Sequence, residues 1–389
     1  LRDNDHLNFY LRTTRKTNDQ VKIVDVFKMH EWYYKLAGIW PLRKDYIKFG
    51  IYLPYCIINV ILAYIDMIAV LGNLHLMIEN LLETLPVTVS LFMTLVVRFH
   101  PSLVDLIVTI KNELTSNDYQ SDEERYLYYA YNRIAYTLSK IAMPTAVMTV
   151  FAMYLKPLPN ALRVVFKSLG RNGTTVDEDA LVLPFKGMQI FHISDLRIYF
   201  FLYLYRLPCG YLGICHTLAI CFVLSLVLHV CGRIAVLNRR VKMIETRSKD
   251  ELETNIFQYN LLFDLVQTSL RLGLSSYIAL TVNSKDAGSE FMAMCTFASY
   301  ACVLFGLLYV YCFVGEYLTQ ESKNLTEAYY HCNWREMPLS CKSSLMICMI
   351  CTQNHLSFTA GKFYKFSLYG FTGIVKTSMA YLSMLRAVV

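Results

Sequence analysis

The sequence predicts an all-α membrane protein with seven transmembrane helices. Hydrophobic residues make up 55% of its 389 residues and charged residues only 17%, whereas soluble domains carry about 25% charge. Several apolar stretches reach the roughly 20 residues that cross a bilayer. Lys and Arg also concentrate in alternate connecting segments, as they do on the cytosolic side of membrane proteins. The predicted N-terminus is therefore inside the cell and the predicted C-terminus outside.

Six apolar stretches predict spans directly, and a seventh is weaker. In chain order, the six cover 46–72, 81–97, 134–155, 211–230, 291–314 and 366–389. The weaker stretch, 261–282, would be span five, and it is interrupted by Asp264, Gln267 and Arg271. Because charged residues are costly in lipid, we expect only 272–282 to enter the bilayer.

The spans and the charge pattern divide the chain into cytosolic and membrane regions. A basic cytosolic arm with an amphipathic helix is expected at 1–45, followed by spans one to four at 46–232 with an outer loop at 156–195. Spans five and six are expected at 272–315 and span seven at 363–389. Cytosolic helices are expected at 233–271 and 316–355. The long outer loop contains several Pro and Gly residues and could form a cap over the helices.

The amphipathic helix of the arm is expected just before span one. Val26, Met29, Tyr33, Leu36 and Trp40 fall at helical spacing, with polar residues between them. Such a helix either lies in the headgroup region of the membrane or packs against the cytosolic ends of the spans. The pattern leaves both arrangements open.

Two sequons bear on the predicted topology. Asn172 begins one of them in the outer loop, so a glycan is predicted on Asn172. Asn324 begins the other, but the predicted topology places it inside the cell, where it would not be glycosylated.

No enzyme signature is present in the sequence, since it has no HExxH, Walker A, GxGxxG or nucleophile-elbow motif. Cys348 and Cys351 form a CxxC, but no second CxxC or His pair lies near them to complete a zinc site. We therefore expect no enzyme activity, no metal and no cofactor.

Ionisable residues inside the spans are better candidates for function, because such residues usually face protein or water. They are Asp66, Glu79, Glu83, Lys140, Arg206, His216 and Lys376. The alternative for each is a structural pair between helices, such as Asp66 with Lys140. Glu79 and Glu83, one turn apart near the outer end of span two, could attract cations, hydrogen-bond a ligand, or lie at the headgroup boundary.

Span seven has two unlike sides. One side is small or polar: Gly373, Thr377, Ala380, Met384 and Ala387 or Val388, with Thr372, Lys376 and Ser383 beside them. The opposite side is apolar: Phe371, Ile374, Leu382, Leu385 and Val389. A span of this kind either packs tightly against another helix or lines a watery path.

Three segments of the last eighty residues resemble insect odorant receptors. The ending "FSLYGFTGIVKTSMAYLSMLRA" is similar to the family's last segment, and "YCFVGEYLTQESKNLTEAYYHCNW" is similar to the end of its sixth span. The segment "FTAGKFYKFSL" between them fits as well. Upstream, the resemblance rests on length, the seven spans, the inverted topology and the "LPF" of the outer loop.

The resemblance implies a subunit of an odorant-gated, non-selective cation channel in the plasma membrane of olfactory sensory neurons. In that family the subunits form a tetramer with a shared co-receptor, cytosolic helices form an anchor where subunits meet, and the odorant lies among spans two, three, four and six. The residues that would bind a small, mostly apolar odorant are Glu79, Glu83, Tyr136, Met143, Val147, Phe201, Tyr203, Phe297 and Tyr300.

The family's last span lines the pore, which implies a pore-lining role for Lys376, Thr377, Ala380, Met384, Ala387 and Val388. Aligning Ala380 and Tyr381 with the co-receptor's Thr-Tyr pair places Met384 and Val388 at the family's narrowest ring.

Departures from the family pattern refine this interpretation. The connection at 233–259 is short, whereas the co-receptor has a long insertion there, so the chain resembles an odorant-tuning subunit. The related gustatory receptors end on Thr-Tyr followed by Gln-Phe, which this chain lacks. A G-protein-coupled receptor would need an outside N-terminus, and a secondary transporter would be expected to show repeated halves. Both remain the alternatives.

Overall fold

The structure is a computed structural model. It describes residues 25–43, 45–115, 119, 121–155, 158, 162, 183, 196–243, 266–268, 271, 287–332, 334, 337, 339–361 and 363–388. The elements within these ranges are α1 (Lys28–Leu36), α2 (Tyr46–Ala69), α3 (Leu74–Phe99), α4 (Pro101–Thr115), α5 (Asp122–Leu155), α6 (Leu196–Tyr205), α7 (Leu207–Met243), α8 (Ala287–His331), α9 (Leu339–Thr352), β1 (Thr359–Ala360), β2 (Tyr364–Lys365) and α10 (Leu368–Val388).

The all-α membrane architecture is confirmed. In the described part of the chain, five helical segments are long and apolar enough to cross a membrane: 46–69, 76–99, 122–155, 197–241 and 302–331. They correspond to predicted spans one, two, three, four and six. Predicted span five lies almost wholly outside the described residues, and predicted span seven is α10.

The long helix α7 forms the centre of the bundle, with α3, α5 and α8 packed along it. In its most apolar stretch 89% of the residues are buried, compared with 22% to 39% in the other four spans. A helix that is apolar all round is stable only when it is surrounded, and residues 218–228 of α7 carry no charged side chain. Gly232 brings α7 close to α5, because a Cβ there would lie 3.3 Å from Tyr131 Cβ.

The amphipathic helix α1 packs on the protein core, as in the second of the two arrangements left open by the sequence. The ring of Phe27 lies 5.5 Å from that of Phe222 in α7, and Glu31 pairs with Lys111 of α4 at 2.9 Å. Leu36, expected on the packed face, is exposed, as is Trp32. The other expected residues do pack: Val26 and Trp40 are buried, and Met29 and Tyr33 are half-buried against the core, which Phe27 and Tyr34 also enter.

A small hairpin connects the cytosolic helices to α10. Strands β1 and β2 are antiparallel, and Gly361 between them has a φ of +58°, a left-handed conformation that glycine adopts without strain. Phe366, directly after β2, stacks on Tyr311 of α8 with ring centroids 5.4 Å apart. The close approach depends on Gly315, because a Cβ there would lie 2.4 Å from the Phe366 carbonyl oxygen.

Candidate functional site

The fourth span is broken at Arg206, between α6 and α7. Pro208 has no N–H to donate to the carbonyl four residues earlier, and its ring disfavours regular helix before it. The amide of Cys209 reaches the Arg206 carbonyl, three residues back, at 3.0 Å. Two tyrosines from neighbouring helices complete the hydrogen bonding: Tyr55 donates to the Tyr205 carbonyl at 2.7 Å, and Tyr154 donates to the Arg206 carbonyl. Polar backbone within the membrane is thereby satisfied by protein.

A chain of polar side chains runs between α2 and α3 next to this break. Asn80 donates to Asp66 at 2.6 Å, and the Thr84 hydroxyl donates to Asn80 at 2.8 Å. Asn80 and Thr84 are both buried. Asp66 is therefore satisfied by an amide of the adjacent helix, whereas Lys140, its suggested partner, is exposed on α5. The suggested ion pair between Asp66 and Lys140 is wrong.

A cavity lies between α2, α3 and the broken fourth span. The space in it that a water-sized molecule can occupy measures about 20 Å³, and the whole cleft, including its opening to solvent, about 300 Å³. The smaller volume suffices for about one water molecule. The lining residues are Asn59, Ala63, Glu83, Thr84, Val87, Arg206 and Cys209. A carboxylate, a guanidinium and an amide thus share one largely apolar cleft.

Asn59 is oriented rigidly in this cavity. Its side chain is 3% exposed, and its Nδ2 donates to the Tyr55 carbonyl at 2.9 Å and to the Tyr205 hydroxyl at 3.5 Å. A carbonyl can only accept, so the amide nitrogen must face Tyr55. In the part of the chain that the structure describes, no donor reaches Asn59 Oδ1.

The residues expected to bind odorant are spread over several surroundings. Glu83 lines the cavity, and Tyr203 is half-buried and donates to the Tyr154 carbonyl. Met143 is buried, and Tyr136 and Val147 are half-buried, all on α5.

One exposed residue and three without described side chains complete the expected odorant set. Phe201 is 67% exposed on α6, so the single chain does not bury it in an odorant-binding wall, contrary to the expectation. The side chains of Glu79, Phe297 and Tyr300 lie outside the described residues. Sequence reasoning missed Asn59 and Cys209; an amide in the middle of apolar span one was the available signal for Asn59.

The start of α10 is held by two side chains. Ser367 accepts from the Gly370 amide at 3.0 Å, which caps the helix locally. Glu316 of α8 accepts from the Leu368 amide at 3.2 Å, and its negative charge also suits the positive end of the helix dipole. The N-terminal turn of α10 is consequently tied to α8.

The described half of α10 presents two different surfaces. Phe371 and Ile374 pack against the core, and the Phe371 ring lies 5.6 Å from that of Tyr309 in α8. The small or polar residues are exposed in the single chain: Thr372, Gly373, Lys376, Thr377, Ala380 and Ser383. The side chains of Met384, Ala387 and Val388 lie outside the described residues, as does Asn172. Asn324, of the second sequon, is half-buried in α8 and accepts from Gln320 at 3.1 Å.

Ion pairs join the helices on the predicted cytosolic side. Glu113 of α4 contacts Arg233 at 2.6 Å and His229 at 3.2 Å, both in α7. Partial burial alone would raise the pKa of Glu113, but the hydrogen bonds and charges of His229 and Arg233 outweigh it and hold that pKa below its usual value of 4.5. Glu124 of α5 pairs with Arg240 at 3.0 Å. These contacts fix α4 and α5 to the cytosolic end of α7.

Comparison with known proteins identifies related sequences. The family model described as 7tm odorant receptor matches residues 254–379. The odorant receptor coreceptor of Ooceraea biroi is 29% identical over 130 residues, which are 33% of this chain and 26% of that protein. Odorant receptor 47a of Drosophila melanogaster is 32% identical over 97 residues, which are 23% of this chain and 25% of that protein. The chain thus aligns with about a quarter of the curated relatives' length.

The structural similarity to solved proteins covers more of the chain than the sequence similarity does. The olfactory receptor OR5 from Machilis hrabei in complex with eugenol superposes with a TM-score of 0.73 over 94% of this chain and 100% of that one, at 12% identity. A second structure of OR5 gives a TM-score of 0.64 over the same shares. The odorant-receptor family model thus matches residues 254–379, and the fold of almost the whole chain is similar to that of OR5.

Proposed function

We propose that this chain is the odorant-tuning subunit of a heterotetrameric, odorant-gated, non-selective cation channel. It would assemble with the odorant receptor co-receptor in the plasma membrane of olfactory sensory neurons. The observation that carries the proposal is the surface of α10, whose small and polar side is left exposed by its own chain. The family whose model matches residues 254–379 consists of receptors that form ligand-gated cation channels rather than enzymes.

The exposed side of α10 is unsuited to lipid. Lys376 lies in the middle of the helix and is exposed, and a charged side chain at mid-membrane is costly unless it meets protein or water. Thr377 and Ser383 are also exposed, although their hydroxyls bond to the helix backbone. This side therefore requires other subunits or a water-filled path, and a central pore lined by four copies of the helix supplies both.

The proposed gate lies toward the far end of α10. Met384 and Val388 are one turn apart on the small and polar side, and a ring of apolar side chains blocks ions by excluding water. Lys376 is two turns nearer the cytosol. In a narrow ring it would repel cations, so it would face a wider vestibule or a neighbouring helix.

The proposed odorant site lies on the outer half of spans two, three, four and six. Glu83, Met143, Val147 and Tyr203 are the described candidates, joined by Tyr136 and, from sequence, by Glu79, Phe297 and Tyr300. The short connection at 233–259 supports the role of a tuning partner rather than of the co-receptor itself.

The test is whole-cell current recording with a panel of volatile compounds. Cells would express this chain alone, the co-receptor alone, or both. We expect cation current evoked by at least one volatile only when both chains are present, without added nucleotide. Robust current from this chain alone, or no current although both chains reach the surface, would contradict the proposal.

A further inference from the structure

Helix α1 has one face that its own chain leaves open. Phe27 and Tyr34 are buried against the core. The opposite face of the helix, by its spacing, consists of Lys28, Trp32, Lys35 and Leu36. Trp32 is 62% exposed and Leu36 is 55% exposed. Two large apolar side chains thus alternate with two lysines on the side of α1 that points away from the protein.

The end of α1 lies level with the predicted cytosolic ends of the first two spans. Tyr46 begins α2 and Phe99 ends α3, and the rings of Phe49 and Phe99 are 5.7 Å apart, so the two spans end at the same depth. Gly38, just after α1, touches the first turn of α2, because a Cβ there would lie 3.0 Å from the Phe49 amide nitrogen and 3.2 Å from Lys48 Cβ. The open face of α1 therefore borders the membrane surface.

The exposed apolar surface continues from α1 to the start of span one. Leu42 is 38% exposed, Tyr46 is 70% exposed and Ile47 is 76% exposed. A continuous apolar surface of this kind marks a contact with membrane or protein. Trp and Tyr are enriched where a membrane meets water, because their rings are apolar but carry one polar group. Trp32 and Tyr46 fit that position.

Basic side chains border the same surface. Lys28, Arg43 and Lys48 are exposed. Residues 25–48 contain five Lys or Arg and three Asp or Glu. Because basic residues next to the cytosolic leaflet are attracted to its anionic lipids, the sign of this excess suits a negatively charged headgroup.

The acidic side chains of this segment leave the excess in place. The carboxylate of Glu31 lies between two lysines, Lys35 at 2.5 Å and Lys111 of α4 at 2.9 Å, so this group of three keeps one positive charge. The carboxylate of Asp45 contacts Lys48 at 3.4 Å, and the Lys48 side chain is still 57% exposed. The surface is therefore positive as well as apolar.

We propose that the open face of α1 and the first turn of α2 form a docking surface for an anionic phospholipid of the cytosolic leaflet. The anionic headgroup meets Lys28, Arg43 and Lys48, while Trp32 and Leu36 lie against the glycerol region and the upper part of the acyl chains. The choice of leaflet follows from the predicted topology. Binding of the lipid depends neither on that topology nor on the proposed function.

Other occupants match only part of this surface. A zwitterionic phospholipid would cover the apolar side chains, but its headgroup has no net charge to complement the basic ones. An acidic soluble protein would complement the charges, but Tyr46 and Ile47 belong to the first turn of span one, where lipid is already present. An anionic phospholipid complements both the charge and the apolar area.

The tryptophans of the chain provide a probe of the bound lipid. The chain has three of them, of which Trp40 is 1% exposed and Trp334 is 41% exposed. In the Trp334→Phe variant, only Trp32 is therefore accessible to a quencher outside the protein. A variant that carries Trp32→Phe as well gives the background.

The test is quenching of Trp32 fluorescence by brominated lipid, since bromine quenches tryptophan on contact. The full-length Trp334→Phe chain is reconstituted into nanodiscs of phosphatidylcholine and phosphatidylserine. In one preparation the bromine is carried by phosphatidylserine, and in the other by the same amount of phosphatidylcholine, so that the two membranes differ only in which lipid carries it. Random mixing of the lipids around the protein would give equal quenching.

We expect brominated phosphatidylserine to quench Trp32 at least about twofold more than brominated phosphatidylcholine at low salt. The ratio should fall toward one at high salt, because salt screens exposed charges. Equal quenching at low salt would overturn the preference for an anionic lipid. Quenching by neither lipid would mean that water or protein covers this face, and would overturn the proposal as well.

Substitutions assign the preference to the basic side chains. Replacing all three exposed ones, Lys28→Gln, Arg43→Gln and Lys48→Gln, should reduce the quenching ratio to about one. The matched control removes three charges from α8, α9 and β2: Lys323→Gln, Lys342→Gln and Lys365→Gln. This control should keep the preference of about twofold. An unchanged ratio in the first variant, or an equal loss in the control, would contradict the docking surface, and the salt dependence tests it without any substitution of these charges.

Discussion

Helices α7 and α10 both cross the membrane region, yet they are completed in opposite ways. The apolar stretch of α7 is almost wholly buried by α3, α5 and α8 of its own chain. In contrast, α10 buries Phe371 and Ile374 against α8 and leaves its small and polar side exposed. α7 is thus completed by contacts within its own chain, whereas one side of α10 is left to be covered by lipid, water or protein outside the chain. Substitutions in α7 should therefore reduce stability, whereas substitutions on the exposed side of α10 should mainly change conduction.

The largest effect is expected from Phe222→Ala in α7. Phe222 is fully buried, and removing a buried phenylalanine costs about 3–5 kcal/mol, a large part of a typical stability. Thermal unfolding in detergent and surface abundance should both fall sharply. Phe201→Ala is the matched control, because Phe201 is exposed on α6 and its removal should cost less than about 0.5 kcal/mol. Similar losses in both variants would mean that burial of α7 is not what stabilises the chain.

A smaller loss is expected from Glu113→Gln at the cytosolic end of α7. Removing a charged partner from Arg233 and His229 should cost about 1.5–3 kcal/mol at pH 7, measured by thermal unfolding in detergent. Because the pKa of Glu113 is lower in the folded protein than its usual 4.5, its stabilisation is complete above pH 4.5 and is lost as the pH falls through the folded value.

The stability difference between this variant and the wild type should accordingly shrink in acid. Glu327→Gln, at an exposed carboxylate of α8, is the control and should show little difference at any pH. A difference at Glu113 that stays constant down to pH 3 would show that packing, not charge, holds α4 to α7.

Loss of the second cap of α10 should act locally. Glu316→Leu removes the acceptor of the Leu368 amide and the charge at the helix start, worth about 1 kcal/mol. Hydrogen exchange of the first turn of α10 should accelerate about fivefold, with little change in α7. Equal exchange in variant and wild type would show that Ser367 alone secures this turn.

The smallest change in subunit stability, with the largest change in conduction, is expected from Met384→Ser. Stability should change by less than about 0.5 kcal/mol if the side chain faces a pore. Water can then occupy the proposed constriction, so resting current or odorant sensitivity should rise when the chain is recorded with the co-receptor. Leu382→Ser, on the opposite side of α10, should mainly reduce assembly. Wild-type conduction in a folded Met384→Ser channel would remove Met384 from the gate.

The fold followed from the sequence where periodicity or length carried the information. Spans of about 20 apolar residues are visible without contacts, and the two sides of α10 follow from helical spacing, with Phe371 packed and Thr377 exposed in the structure. The break at Arg206 was not predicted, although Pro208 was an available sequence signal for it.

The partners across the bundle could not be predicted. Asn59 donates a hydrogen bond to the hydroxyl of Tyr205, which is 146 positions away in the sequence. Asp66 accepts a hydrogen bond from Asn80 rather than pairing with a charged residue. Around α1, four of the five expected residues pack against the core, but Leu36 is exposed and Tyr34 is buried, which spacing did not distinguish because both are apolar. Spacing along one helix records which residues share a side, but not which tertiary surface that side meets.

The double cap holds the first turn of α10 in place, so the rest of the helix can tilt about that turn. The helix has 21 residues, and at 1.5 Å per residue its free end lies about 31 Å from the turn that Glu316 and Ser367 secure. A tilt of about 5° at that turn would carry the far end sideways by nearly 3 Å over this length, about the width of a water molecule. If α10 lines a pore, as proposed above, a small rearrangement of α8 transmitted through Glu316 would therefore be enough to widen the outer mouth.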